Sequence, residues 1–296
     1  MPIYLTNIAS MQAMRALNSA TSSLDTAMRR LSTGKRINSA KDDPAGLQIA
    51  NRMTSEINGL KQANRNTSDG IAFAQTYEGA LDETVNLLQK IRTIAVQAST
   101  GTYTQEDRDA MQLEVNQLSE EITRIAEQTK YGGHTILVGK DSTYLKDGMM
   151  TIQVGAYNGD TVTMDLTQSF RLQDIFDATG SQDQVVDNGH IQLDTVDKAQ
   201  TALANIDSMI KVVDDKRTML GAYQNRFEST IRVNSNVYTN LSDARSRIED
   251  ADYAEESANY IRASIMQQAS LAILMQANAR PNLILQLIGS TSGRAF

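Results

Sequence analysis

The chain contains no cysteine and no tryptophan, and its 296 residues include only two histidines, three prolines and five phenylalanines. Without cysteine there can be no disulfide framework, no thiol catalysis and no thiolate-held metal. Two readings of compartment stay open: a reducing cytosol where cysteine is dispensable, or a chain that crosses into an oxidising space where stray disulfides are selected against. Aromatic residues make up 5% against 41% hydrophobic residues in all. Compact cores lean on large rings, whereas long bundles fill narrow seams with Ala, Leu, Ile and Met, so the balance favours an elongated helical protein. Prolines at positions 2, 44 and 281 leave long stretches free of helix breakers.

Basic charge is also scarce. The net charge is -7 and the pI about 5.0, which excludes a general nucleic-acid scaffold, since phosphate binding needs a basic face. No apolar run reaches the roughly 20 residues of a spanning helix, so no membrane insertion is expected. Met1 to Ala13 carry no basic stretch followed by an apolar block, so no cleaved secretory signal is expected either.

Enzyme chemistry finds little material. His134 and His190 sit in turn-like segments with no second ligand at metal spacing. Gly132-Gly133 precedes rather than follows β structure, so it is no phosphate loop, and no serine sits in a nucleophile elbow. The adjacent Asp42 and Asp43 are too few for a cation site and read as capping charge at a helix start. The expectation is no catalytic residue, no cofactor and no metal.

What the chain does have is three-four periodicity. Met11, Met14, Leu17, Thr21, Leu24, Met28 and Leu31 recur at such gaps, and so do Ala199, Leu203, Ile206, Ile210, Val213, Arg217 and Leu220. This is the pattern of helices that wrap a partner. Helices are expected over Thr6–Leu31, from Pro44 to about Ala98, over Gln105–Lys130, from Asp194 to Arg247 and from Asp250 to Leu287. The second would be about 75 Å long, with a seam through Met53, Ile57, Leu60, Asn64, Thr67, Ile71, Ala74, Glu78, Leu81, Val85, Leu88, Arg92 and Ala95. Thr151–Gly155 and Thr161–Asp165 alternate around Asn158-Gly159 and predict a β-hairpin. Arg171 to His190 reads as a surface loop with a short helical piece. The fold class is therefore mainly α, an elongated antiparallel bundle or coiled coil with a small β-hairpin insert and paired terminal helices.

The segment LSTGKRINSAKDDPAGLQIANR at 31–52 resembles the amino-terminal signature of bacterial flagellin. The likeness continues in NTSDGIAFAQ at 66–75, EGAL at 78–81, QKIRTIAVQ at 89–97, TIQVG at 151–155, SDARSRIEDAD at 242–252, IMQQA at 265–269 and MQAN at 275–278. These blocks span nearly the whole chain in order. The resemblance implies an exported structural subunit that polymerises into a helical extracellular filament for swimming or swarming. It implies a terminal helical domain of 1–44 with 252–296 lining a channel, and a bundle domain of 45–251 with its β region at about 134–190. Only about 25 residues separate Asp165 from His190, which reads as a short form without an outer variable domain. The terminus 280–296 departs from the family pattern.

By the same resemblance the partners are further copies of the chain, the flagellar type III export apparatus, an export chaperone on the C-terminal helix, the filament cap and the hook-associated proteins. Expected subunit contacts are Lys35, Arg36, Asp42 and Asp43 by charge, and Leu17, Leu24, Leu31, Ile265 and Leu274 by apolar burial. The stretch 89–97 resembles the surface sensed by Toll-like receptor 5, which implies contacts from Gln89, Lys90, Arg92, Ile94 and Gln97, with Glu114 on the following helix. Lys90 and Thr93 stand where the favourable pattern has Arg and Glu. The rival readings are a hook–filament junction protein and, from another class, a cytosolic coiled-coil adaptor.

Overall fold

A computed structural model describes residues 7–143, 145–181 and 185–291, with side chains up to residue 280. Six helices and three strand pairs follow one another: α1 (Ile8–Thr33), α2 (Pro44–Ala98), α3 (Gln105–Gln128), β1 (Lys130–Tyr131), β2 (His134–Thr135), β3 (Met149–Gln153), β4 (Thr161–Asp165), α4 (Leu172–Ala178), β5 (Val186–Asp187), β6 (His190–Ile191), α5 (Val196–Glu249) and α6 (Tyr253–Thr291). The expected α class holds. The chain divides into two compact units, one of residues up to Ser55 and from Asn240 onward, the other Glu56–Thr239.

Helix ends are written in the sequence. Asn7 caps α1 by accepting from the Ser10 N–H at 3.0 Å, and Gly34 closes it at φ 70° with its N–H on the Arg30 carbonyl. That left-handed conformation is cheap only without a Cβ. Asp43 accepts from the Gly46 N–H at 2.9 Å and Pro44 opens α2. Thr104 and Asp107 form a reciprocal capping box on α3, whose hydrogen bonds hold the Asp107 carboxyl below the usual carboxylate range.

In the second unit the buried seam of α2 runs Leu60, Ala63, Thr67, Gly70, Ala74, Tyr77, Leu81, Thr84, Leu88, Ile91, Ala95, Ala98. Its facing seam on α5 is Ala199, Ala202, Ile206, Met209, Val213, Lys216, Leu220 and Phe227. Both repeat at alternating gaps of three and four, but in a different register from the sequence reading. Asn64, Glu78 and Arg92 lie beside the seam, and Ala63, Tyr77 and Ile91 replace them. Likewise Leu203, Ile210 and Arg217 yield to Ala202, Met209 and Lys216. Of the displaced polar residues, Glu78, Arg92 and Arg217 form rungs along the seam's edge: Arg92 to Asp207 at 2.6 Å, Asp82 to Arg217 at 2.8 Å, and Gln224 to Glu78 at 2.8 Å. Lys61 lies over the Tyr238 ring, 5.3 Å from its centroid. In these pairs one number rises as the other falls, which fixes α2 and α5 as antiparallel.

The remaining elements close this core. Val115, Ser119, Ile122 and Ala126 of α3 are buried, with Leu118 and Ile125 packed at its margin. β3 and β4 pair in antiparallel register with Thr151 opposite Thr163, and Ile152, Val162 and Met164 face inward. The strand ends at Gln153, not at Gly155, and the connection is wider than a two-residue turn. Asp160 organises it by accepting from the Tyr157 N–H. Two short hairpins were not expected: β1–β2 around Gly132-Gly133 and β5–β6 around Asn188-Gly189, whose turn residues all have positive φ. The stretch after Arg171 is also more than a surface loop, since α4 buries Leu172, Ile175 and Phe176.

Candidate functional site

In the first unit α1 packs antiparallel along α6. Asn7 Nδ2 donates to the Ala277 carbonyl at 2.8 Å, Gln267 Nε2 to Thr21 Oγ1 at 3.1 Å, and Arg30 to Glu256 at 2.7 Å. The buried residues of α1 are Ala13, Ala20 and Ala27, and those of α6 are Glu256, Ala263, Ser270 and Ala277. Each set repeats every seven residues. The seam is thus made of small side chains, which let two helix backbones approach closely but bury little apolar area per turn. Leu17, Leu24, Leu31 and Leu274 are half-buried along it, whereas Ile265 is exposed.

The expected α1 seam therefore needs correction. Thr21 is half-buried, but Met11, Met14 and Met28 are largely exposed. The leucines at 17, 24 and 31 can be continued by the residue three on or four on. Counting four on places Met28 and Thr21 in the seam, but the neighbour α6 takes Ala27 and Ala20. α6 keeps Ile261, Ile265, Met266, Leu271, Ile273 and Met275 exposed at many angles around its axis. A helix apolar all round is one built to be surrounded.

The junction loops of this unit are tied to each other inside the chain. The Lys35 ammonium pairs with Glu249, the Arg36 N–H donates to the Glu249 carbonyl at 2.7 Å, and the Arg36 guanidinium donates to the Ile248 carbonyl at 2.7 Å. The Ala251 N–H returns a bond to the Gly34 carbonyl at 2.9 Å. Asp42 accepts from the N–H groups of Asn38 and Ser39 and from the Ser39 hydroxyl, and those bonds lower its carboxyl pKa. With Asp43 capping α2, all four charged residues have intrachain partners. Glu249 and Glu256, both buried, were not singled out from the sequence. The signal was present: an acid at each of two positions seven apart, at the start of an otherwise small-residue seam.

The receptor-type residues lie in the second unit. Gln89, Lys90, Arg92, Gln97 and Glu114 are exposed and Ile94 is half-buried against the core. Arg92 is held in a two-bond fork by Asp207, at 2.6 and 3.2 Å, which raises its pKa further. Gln97 donates to the Tyr103 hydroxyl at 3.0 Å. Asp207, which positions Arg92, lies more than a hundred residues away and was invisible to a local motif. Val96 and Leu113 are further exposed apolar residues on α2 and α3.

Among the described residues no group of three or more His, Asp or Glu is placed to hold a metal. None of the described helices is long and apolar enough to cross a membrane. What the geometry offers is helices with apolar faces open to solvent, the property of a structural subunit.

The bacterial flagellin N-terminal helical region matches residues 5–142, and the bacterial flagellin C-terminal helical region matches residues 203–288. The flagellin of Halalkalibacterium halodurans is 40% identical over 95% of this chain and 98% of its own. Polar flagellin F of Vibrio parahaemolyticus is 35% identical over 96% of this chain and 98% of its own. A candidate flagellar hook-associated protein from Vibrio parahaemolyticus has a TM-score of 0.56 over 71% of this chain and 100% of that one, at 18% identity, a likeness of fold alone. The chain belongs to the bacterial flagellin family. It is a structural subunit of the extracellular flagellar filament, and it assembles with copies of itself.

Proposed function

We propose that the first unit is the polymerising part of this subunit and that its contacts with other copies are apolar. The observation that carries this is the exposed apolar surface of α6 beside a seam of small residues. The domain boundary then falls near Ser55 and Asn240, further into the chain than 44 and 252. Lys35, Arg36, Asp42 and Asp43 act first as an internal clamp on the turns that lead into α2 and α6. Ile265, with the outer edges of Leu17, Leu24, Leu31 and Leu274, supplies burial between subunits. Such contacts join different patches of successive copies head to tail without closing, which gives a filament rather than a ring. The second unit has short strand pairs and α4 between α3 and α5, which supports a short form without an outer variable domain.

The same reading includes export without a cleaved signal through the flagellar type III apparatus, a chaperone that covers α6 before assembly, and a cap and hook-associated proteins at the filament ends. Seeded polymerisation of the purified chain, followed by helical reconstruction, tests it. A reconstruction in which α6 faces only solvent would overturn the apolar contact.

Recognition by Toll-like receptor 5 would use Gln89, Lys90, Arg92, Ile94, Gln97 and Glu114. Lys90 keeps a charge but lacks the planar fork of arginine. Lys90→Arg should strengthen signalling by free chain and Lys90→Ala weaken it. An unchanged dose response in both would remove these residues as a receptor site.

A further inference from the structure

We propose that oxidation of the exposed methionines Met11, Met14 and Met28 on α1 and Met266 and Met275 on α6 decides whether a free subunit can join the filament. The inference rests on the filament reading above and adds a chemical control to it. These five methionines are 53–62% exposed, whereas in the second unit Met149 and Met219 are less so and Met164 and Met209 are fully buried. The exposure follows from the seam register: because Ala13, Ala20 and Ala27 take the contact with α6, the α1 methionines turn outward. They lie within about 100° of one another around the helix axis. Met266 borders a groove of about 500 Å³ lined along α1 mainly by small residues such as Ala16, Ser19, Ala20 and Ser23, with Arg30 and Glu256 at one end. A long unbranched thioether beside small residues makes a surface that adapts to an incoming apolar helix.

The occupant is a second copy of this chain. α6 presents Ile261, Ile265, Leu271 and Ile273 in different directions, so no single intrachain neighbour covers it. In the free subunit, hydrogen peroxide reaches each sulfur. The sulfur lone pair attacks one peroxide oxygen, an S–O bond forms and the O–O bond breaks. Water leaves, the peroxide is reduced and the thioether is oxidised by two electrons to the sulfoxide. A sulfoxide is a strong acceptor, and pressing it against an apolar face with no donor opposes docking. Once assembled, the same sulfurs are covered.

The test compares free chain and filament under limiting hydrogen peroxide, with oxidation read residue by residue by peptide mass spectrometry. In the free chain the five methionines should oxidise while Met164 and Met209 are spared. In the filament the five should react about tenfold more slowly or less, a protection factor that measures burial. Oxidised free chain should need a critical concentration raised about tenfold, and combined methionine sulfoxide reductases A and B should restore it. A chain carrying Met11→Leu, Met14→Leu, Met28→Leu, Met266→Leu and Met275→Leu should polymerise and resist peroxide. Equal oxidation rates in filament and free chain, or an unchanged critical concentration after oxidation, overturn the proposal. So does a five-leucine chain that peroxide still inactivates; if that variant does not fold, the protection measurement decides alone. Untreated chain that never polymerises would instead overturn the filament reading.

Discussion

The Lys216 ammonium donates to the main-chain carbonyl of Asp165 at 2.6 Å, from a position in the buried seam of α5. It pins the end of β4. Asn234, one further seam residue, donates to the Val154 carbonyl at 2.8 Å, and Asn66 of α2 donates to Gln153. The hairpin is therefore held at both ends by polar side chains, two of them, Lys216 and Asn234, buried in the α5 seam where periodicity alone expects apolar ones.

Removing this anchor should be costly. Lys216→Ala deletes a long buried stem and its hydrogen bond to the Asp165 carbonyl, so the second unit should lose about 2–4 kcal/mol. Urea unfolding of the free chain reads this directly. A loss within experimental error would show that the carbonyl finds another donor.

The same residue gives a pH signature. Burial lowers the Lys216 pKa below 10.5 in the folded chain. Between that lowered value and 10.5 the unfolded chain binds more protons, so this residue's contribution to stability rises with pH across that window. The Lys216→Met chain lacks that rise. Wild-type stability minus that of Lys216→Met should therefore increase from pH 8 to pH 10.5. On the acid side, the Thr167 hydrogen bonds lower the Asp165 carboxyl. Its contribution is full above the ordinary carboxylate value and is lost as pH falls through the lowered one. A Thr167→Val chain should show less of that acid loss.

The seam register can be tested by size. Ala20 is buried between α1 and α6, so Ala20→Leu overpacks the contact and should cost about 1–3 kcal/mol. Met14→Leu, on the exposed face, should change the free chain by no more than about 0.5 kcal/mol. Hydrogen exchange along α1 separates the two, and equal effects would restore the methionine register.

Glycines inside helices separate by what surrounds them. A Cβ at Gly79 or Gly221 meets no atom within 4 Å, so alanine there should stabilise the free chain by about 0.5–1 kcal/mol each. Gly139 has φ 60° and a Cβ there would lie 2.5 Å from the Thr167 carbonyl oxygen, so Gly139→Ala should destabilise by about 1–3 kcal/mol. Thermal melts of the three variants should split in sign.

Arg36→Glu tests the clamp. Because the Arg36 guanidinium bonds the Ile248 carbonyl within its own chain, the reversal should speed hydrogen exchange at both junction turns in the free chain, before any filament forms. Unchanged exchange there, with a weaker filament, would return Arg36 to a contact between subunits.

The sequence by itself determined the α class, the order of the long helices, their caps at Gly34 and Asp43, and the pairing of β3 with β4. These depend on local chemistry: a Cβ-free left-handed turn, a side-chain acceptor over free N–H groups, alternation around a loop. It also carried the family, through motifs spread along the chain. The register of the seams was decided only by tertiary structure. From Leu17 or Leu60 a three-four repeat continues equally well by three or by four, and the choice belongs to the neighbouring helix. That neighbour accepts Ala20, Ala63 and Lys216 where counting four on would put Thr21, Asn64 and Arg217. The partners Glu249, Asp207 and Asp165 were beyond reach for the same reason: each lies far along the chain from the cation it holds, and only packing brings the two together.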